Sequence, residues 1–136
     1  MTDNELAHYF ADYLSKEGFS PNVDDENDVV FKFEGRTYVI QVDARDPEFF
    51  RLIYPNFWSL ESEQERQSAA VVAAEVNCGL KVAKVFMTDD DTWATVELFI
   101  SPIDNFKPVF RRSLGVLQAA ANRFREGMAA ARGDAS

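Results

Sequence analysis

Two short runs of alternating side chains meet at a glycine. Val29, Phe31 and Phe33 alternate with Val30, Lys32 and Glu34, and beyond Gly35 Tyr38, Ile40 and Val42 alternate with Thr37, Val39 and Gln41. Alternation with period two on both sides of a tight Glu-Gly turn is the pattern of an antiparallel hairpin. Whatever the rest of the chain does, it must complete a sheet that begins with this pair. A second hairpin follows downstream, with Leu80 to Met87 as one strand, Asp89-Asp90-Asp91 as the turn and Trp93 to Ile100 as the partner. In that partner strand Ala94, Val96, Leu98 and Ile100 share one face.

Helices bracket and separate the hairpins. Thr2, with Glu5 three residues on, forms a capping box, and Leu6, Phe10, Tyr13 and Leu14 follow as an apolar stripe that Gly18 ends. Ser62 and Glu65 form a second box for a helix running to about Asn77, with Gly79 as its stop. Its small inner face, Ala69, Val72, Ala73 and Val76, predicts close contact with a sheet. Ser101, Pro102 and Asp104 announce a third helix, in which Pro108 is tolerable only in the first turn. Phe110, Leu114, Leu117, Ala121, Phe124 and Met128 then form a heptad seam. Contact with the chain's own sheet explains such a seam, although a helix of this length also has the reach to meet a second subunit.

The most aromatic stretch, residues 49 to 58, reads as a further strand with Phe50, Leu52 and Tyr54 on one face and Phe49, Arg51 and Ile53 on the other. Pro55 cannot donate a ladder hydrogen bond, so this strand is expected at a sheet edge or broken at the proline. The acidic run Asp24, Asp25, Glu26 and Asp28 reads as a solvated turn feeding the first hairpin. The resulting order is α-β-β-β-α-β-β-α: an α+β fold with a mostly antiparallel five-stranded sheet. A single domain over residues 1–132 is expected, with a frayed tail at 133–136.

Composition narrows the function. Fourteen Lys and Arg against twenty-three Asp and Glu give a net charge of −9, which argues against binding nucleic acid or anionic lipid through charge. One Cys excludes an internal disulfide, and one Cys with one His cannot build a Cys/His zinc site. No apolar run approaches a membrane span, and the opening Met1-Thr2-Asp3-Asn4-Glu5 lacks the basic flank of a signal peptide, so a cytoplasmic protein is expected. The charge is uneven: residues 1–65 hold fifteen acids and five bases, net −10, and residues 66–136 hold eight acids and nine bases, net +1. No phosphate-cradling glycine loop occurs, no nucleophile sits in a Gly-flanked turn, and Cys78 stands at a helix C-terminus, where the dipole disfavours a thiolate. No catalytic residue, metal ligand or cofactor site is expected.

One segment supports a resemblance: Ala-Ala-Glu-Val-Asn at 73–77, Lys84-Val85, the Asp89-Asp90-Asp91 turn and Val96-Glu97-Leu98. With the element order, it is similar to the YbjN-like proteins, a family described as bacterial sensory-transduction regulators, which shares its fold with the class I type III secretion chaperones. The resemblance implies a non-enzymatic, homodimeric, protein-binding or regulatory domain. The aromatic excess at 49–58 agrees, since interface anchors are often large aromatics, and Phe49, Ile53 and Trp58 are the candidate contacts for a protein partner or second subunit. A small-molecule-binding sensory domain is the alternative, and an uncharacterised enzyme a third reading.

Overall fold

The computed structural model describes residues 1–133; the expected tail therefore lies, from residue 134 onward, outside the described residues. In chain order the elements are α1 (Asp3–Lys16), β1 (Asn22–Val23), β2 (Val29–Phe33), β3 (Arg36–Gln41), β4 (Phe49–Tyr54), α2 (Glu63–Gly79), β5 (Ala83–Met87), β6 (Thr92–Phe99), a 3₁₀ segment Ile103–Val109 and α3 (Phe110–Ala131). The strands form one antiparallel sheet in the order β1-β2-β3-β4-β6-β5. The α+β class and both hairpins match the sequence expectation.

Three differences have local causes. The sheet has six strands, not five, because the acidic run is the turn of a small hairpin. The Asp24 carboxylate accepts from the Glu26 and Asp28 N–H groups, and Asn27 turns the chain at φ 63°. Asn22 and Val23 thereby pair with Val30 and Val29; two residues are too few to show alternation. Strand β4 is not an edge strand but lies between β3 and β6, and Pro55 falls one residue past its last paired position, Tyr54. The second capping box is only half formed. Ser62 Oγ accepts from the Glu65 N–H at 3.1 Å, but the Glu65 carboxylate serves the Glu61 N–H and Arg132 instead of returning to Ser62. By contrast the box at Thr2 is complete, with bonds of 3.1 and 3.0 Å.

All three helices pack on one face of the sheet. Cross-strand register places Val29, Ile40, Leu52 and Val96 in one row and Phe31, Tyr38, Tyr54, Ala94 and Val85 in the next, all buried against the helices. Every residue of the α3 seam is buried in this core, so the seam is consumed within the chain. Pro108 lies in the 3₁₀ segment, just before α3 begins at Phe110. There Phe106 stacks on Phe50 at 5.6 Å and meets Phe10 edge-on at 4.8 Å, while Phe110 reaches Phe31 at 5.7 Å. Such aromatic pairs add about 0.5–1.5 kcal/mol each beyond the area they bury.

Helices α2 and α3 meet closely at Gly127, where an added Cβ would stand 2.5 Å from Val72 Cγ1. Val72 is β-branched and stiff in a helix, so it cannot swing away. Gly127→Ala is expected to lower stability by about 1–3 kcal/mol through overpacking, although alanine is the better helix former. Gly115 lies on the same helix with open space around its Cα. Gly115→Ala should therefore raise stability by about 0.8–1 kcal/mol. Thermal unfolding of the two variants checks the opposite signs, and Val72→Ala should rescue Gly127→Ala.

Candidate functional site

Among the described residues, no layer covers the sheet's second face. Because side chains alternate, the strands that supply the core also supply an outward row, Val30, Val39, Ile53, Thr95 and Lys84, which crosses five strands in register. Beside it run Gln41, Arg51 and Glu97, then the pair Phe49 and Phe99; on the other flank lie Lys32, Thr37, Trp93 and Phe86. Ile53 and Thr95, at the middle, are screened by their neighbours, with Ile53 only 3% exposed. Phe99 is 87% exposed, its ring 5.7 Å from that of Phe49. Fully burying a phenylalanine is worth about 1.5–3 kcal/mol, a gain that folding leaves unclaimed here. Trp93 packs at 6.1 Å from Phe86 and donates its indole N–H to Asn56 at 2.9 Å.

Charge on this face is organised around Glu97. Its carboxylate takes Lys84 Nζ at 2.9 Å and Arg51 Nε at 3.3 Å, and Thr95 Oγ1 donates to it at 3.4 Å; Arg51 also bonds Gln41. Burial pushes the Glu97 carboxyl upward, but the Lys84 hydrogen bond and charge, reinforced by Arg51, outweigh it and hold the group below its ordinary 4.5. With Lys32, the face carries three bases against one acid, in a chain of net charge −9. At the corner beside Phe49 and Arg51, a cleft of about 470 Å³ is lined by Asp3, Glu26, Asp28 and Asp43. Burial, opposed by the Val42 N–H, and then the neighbouring acids Asp24, Glu26 and Asp3 raise the Asp28 carboxyl above its ordinary value. Among the described residues no group of acids, His and Cys is arranged to hold a metal ion.

The three candidate contacts separate. Phe49 and Ile53 share the open face, as their alternation predicts. Trp58 does not join them. It lies on the helix side of the sheet, edge-on to Phe124 at 5.9 Å, with the Arg132 guanidinium 4.8 Å over its ring and its N–H without an acceptor. Phe57 packs there too, 5.5 Å from Phe124. The connection is drawn to that side because Phe57 and Leu60 donate to the carbonyls of Thr92 and Asp90. Phe99, Trp93, Phe86 and the Glu97 cluster were not singled out from sequence. Their signal was present, since Ala94, Val96 and Leu98 facing inward oblige Trp93, Thr95, Glu97 and Phe99 to face outward. His8 and Cys78 are both exposed, on α1 and near the end of α2.

No family model and no curated protein matches the chain. Among solved structures it is similar to YbjN from E. coli, described as a proposed transcription regulator, with a TM-score of 0.59 and 12% identity, over 84% of this chain and 87% of that one. The chain has the YbjN-like fold expected from its element order. The secretion-chaperone half of the resemblance gains no support from this likeness. No helix among the described residues is long and apolar enough to cross a membrane.

A depressed carboxyl pKa stabilises the fold above the unfolded value, and that contribution is lost as pH falls through the folded one. Glu97→Gln should therefore cost about 0.5–1 kcal/mol at neutral pH. The gap from the parent protein should narrow as pH falls below the ordinary carboxylate value and Glu97 takes up its proton in the folded state. Urea unfolding of both proteins across this acidic range measures it.

Proposed function

We propose that this chain is a non-enzymatic regulatory domain that binds a protein partner through the open face of its sheet. One observation supports this reading above others: on the bare face Phe99 stands 87% exposed beside Phe49, at the flank of a row in which Val30 and Val39 are half-buried and Ile53 is screened by its neighbours. One-sided antiparallel sheets normally turn polar residues to water, and contiguous exposed apolar surface is characteristic of interaction sites. The bases on the face indicate the occupant. Lys32, Arg51 and Lys84 against Glu97 favour a protein segment whose apolar side chains are flanked by carboxylates. Likeness in fold to a protein described as a regulator agrees with a regulatory role, and a cytoplasmic setting belongs to the same proposal. A single His and a single Cys with no nucleophile–base spacing favour binding over chemistry.

A second copy of the chain is the other occupant this face admits, since symmetric dimers are the commonest assembly. Like-for-like contact would, however, set the three bases near their own symmetry mates. Light scattering separates the two: the partner reading expects 15.4 kDa across tens of micromolar, and a doubled mass would assign the face to self-association.

The decisive comparison is capture by the intact chain, by Phe99→Ser and by Lys84→Glu, each read by mass spectrometry. Proteins with acidic-apolar segments should be held by the parent chain and released by both variants, an anchor loss of about 2 kcal/mol or more. The melting temperature of Phe99→Ser should stay put, because truncating so exposed a side chain changes stability by no more than about 0.5 kcal/mol. Lys84→Glu loses its ion pair with Glu97 and sets two carboxylates together, so its capture is read on protein shown to be folded. Capture that is indifferent to both substitutions would refute the proposal.

A further inference from the structure

On the helix side, beyond the sheet row of Tyr38 and Tyr54, a cleft of about 300 Å³ opens between the β2–β3 turn, the end of β4 and α3. A second cleft of about 360 Å³ adjoins it and shares Arg36, Tyr54 and Arg125. Hydrogen bonds inside this cluster engage several of its acceptors. Arg125 Nη1 donates to Asn122 Oδ1 and Nη2 to Tyr54 Oη, both at 3.0 Å, and Gln118 Nε2 donates to Glu34 at 2.8 Å. Donors are left over: the Tyr54 O–H, the Asn122 amide N–H groups and the whole Arg36 guanidinium. Tyr38 is fully buried, and its hydroxyl forms no well-aligned hydrogen bond, with the Gln118 side chain close to it. Burial, then the neighbouring Tyr54, push its pKa up to about 12 against the opposing Gln118 contact, so it keeps its proton at neutral pH.

Charge makes the cluster unusual in this chain. Acids outnumber bases by nine, yet neither Arg36 nor Arg125 forms an ion pair among the described residues. Glu34, the one carboxylate on the lining, is held by Gln118. Two guanidinium groups and three neutral donors facing one concavity match the oxygens of an anion, which accept only.

We propose that this cleft binds a small oxyanion-bearing ligand, a carboxylate or a phosphate, held by Arg36 and Arg125 with Tyr38, Tyr54 and Asn122 donating to its oxygens. The site lies on the opposite side of the sheet from the open face and does not depend on the function proposed for that face.

The test is titration of the full chain with inorganic phosphate and, separately, with succinate at constant ionic strength. Proton–nitrogen NMR follows the Asn122 and Gln118 side-chain amides and the arginine Nε–H groups. Saturable shifts at these groups are expected, and the anion that produces them identifies the source as phosphate or carboxylate. Arg36→Gln and Arg125→Gln should each weaken binding about tenfold or more, the usual loss of a charge-assisted hydrogen bond. Arg111→Gln, at a separate cleft beside Phe19, should leave it unchanged. Arg36 is exposed, so its variant reports even where Arg125→Gln fails to fold. Shifts that never saturate with either anion, a midpoint unmoved by Arg36→Gln, or an equal loss in Arg111→Gln would each overturn the proposal.

Discussion

The seam of α3 is the contact on which the covered side of the molecule depends. Phe110 at its start reaches Phe31 on β2 and Phe19 after α1, both at 5.7 Å, and Phe124 near its end takes Phe57 and Trp58. Between them Leu114, Leu117 and Ala121 are fully buried. One helix thus spans from the first hairpin to the connection leaving β4, and α2 closes beside it because Gly127 leaves room for Val72. With α1, α2 and α3 all committed to one face, no element among the described residues remains to cover the other. The uncovered face is a consequence of the topology, and its apolar residues are therefore the feature that folding alone does not explain.

A sheet with one bare face must also protect its edges, where unpaired backbone groups template aggregation. At β5 the protection comes from a side chain. Asn77 donates its amide to the Val85 carbonyl at 2.9 Å and accepts from the Val85 N–H at 2.7 Å. The amide thereby imitates one residue of a neighbouring strand. It also fixes the last turns of α2 against β5, so that the helix between the hairpins sets where the second hairpin docks. Asn77 and Val85 both belong to the segment on which the family resemblance rests. Their bond gives that pattern a structural meaning unrelated to ligand or catalysis. At the opposite edge, β1 is only two residues long, which limits the exposed ladder by brevity.

Elements with a clear period and a cap were legible from the sequence. The 29–42 hairpin, the Thr2 box, the α2 inner face and the second hairpin follow from spacing alone. Strand β5 begins late, at Ala83, because Val82 sits at φ 72° and interrupts it, a backbone state that nothing in a valine announces. Pro55 points to an edge strand or a break, but the two-faced apolar character of β4 points elsewhere. It is the mark of an interior strand whose outer face is bare, with Ile53 screened between Val39 and Thr95. Trp58 was misleading for a different reason. The direction of an aromatic in a connection depends on where that connection is tied, and its ties are backbone bonds to the 90–92 turn, more than thirty residues away. The donor-rich cleft was invisible for the same reason, since Arg36, Tyr54 and Arg125 come from three distant segments.

Ile53 and Tyr54 are consecutive residues of β4 and point to opposite sides of the sheet. Ile53 sits at the centre of the proposed docking face, and Tyr54 accepts from Arg125 at the proposed anion cleft. One interior strand, paired on both sides, therefore contributes to both proposed surfaces. Proximity alone gives no regulation, because a ligand shifts partner affinity only by the amount it prefers one state of the protein over another. The strand's pairing to β3 and β6 resists movement, so any such preference must arise at the ends of β4, where pairing stops. Tyr54 is the last paired residue before Pro55, and Phe49 is the first. Each terminal residue lies at one of the two surfaces. A coupling between them would have to change the contacts at those two ends, where Tyr54 meets Arg125 and Phe57 and where Phe49 meets Phe99.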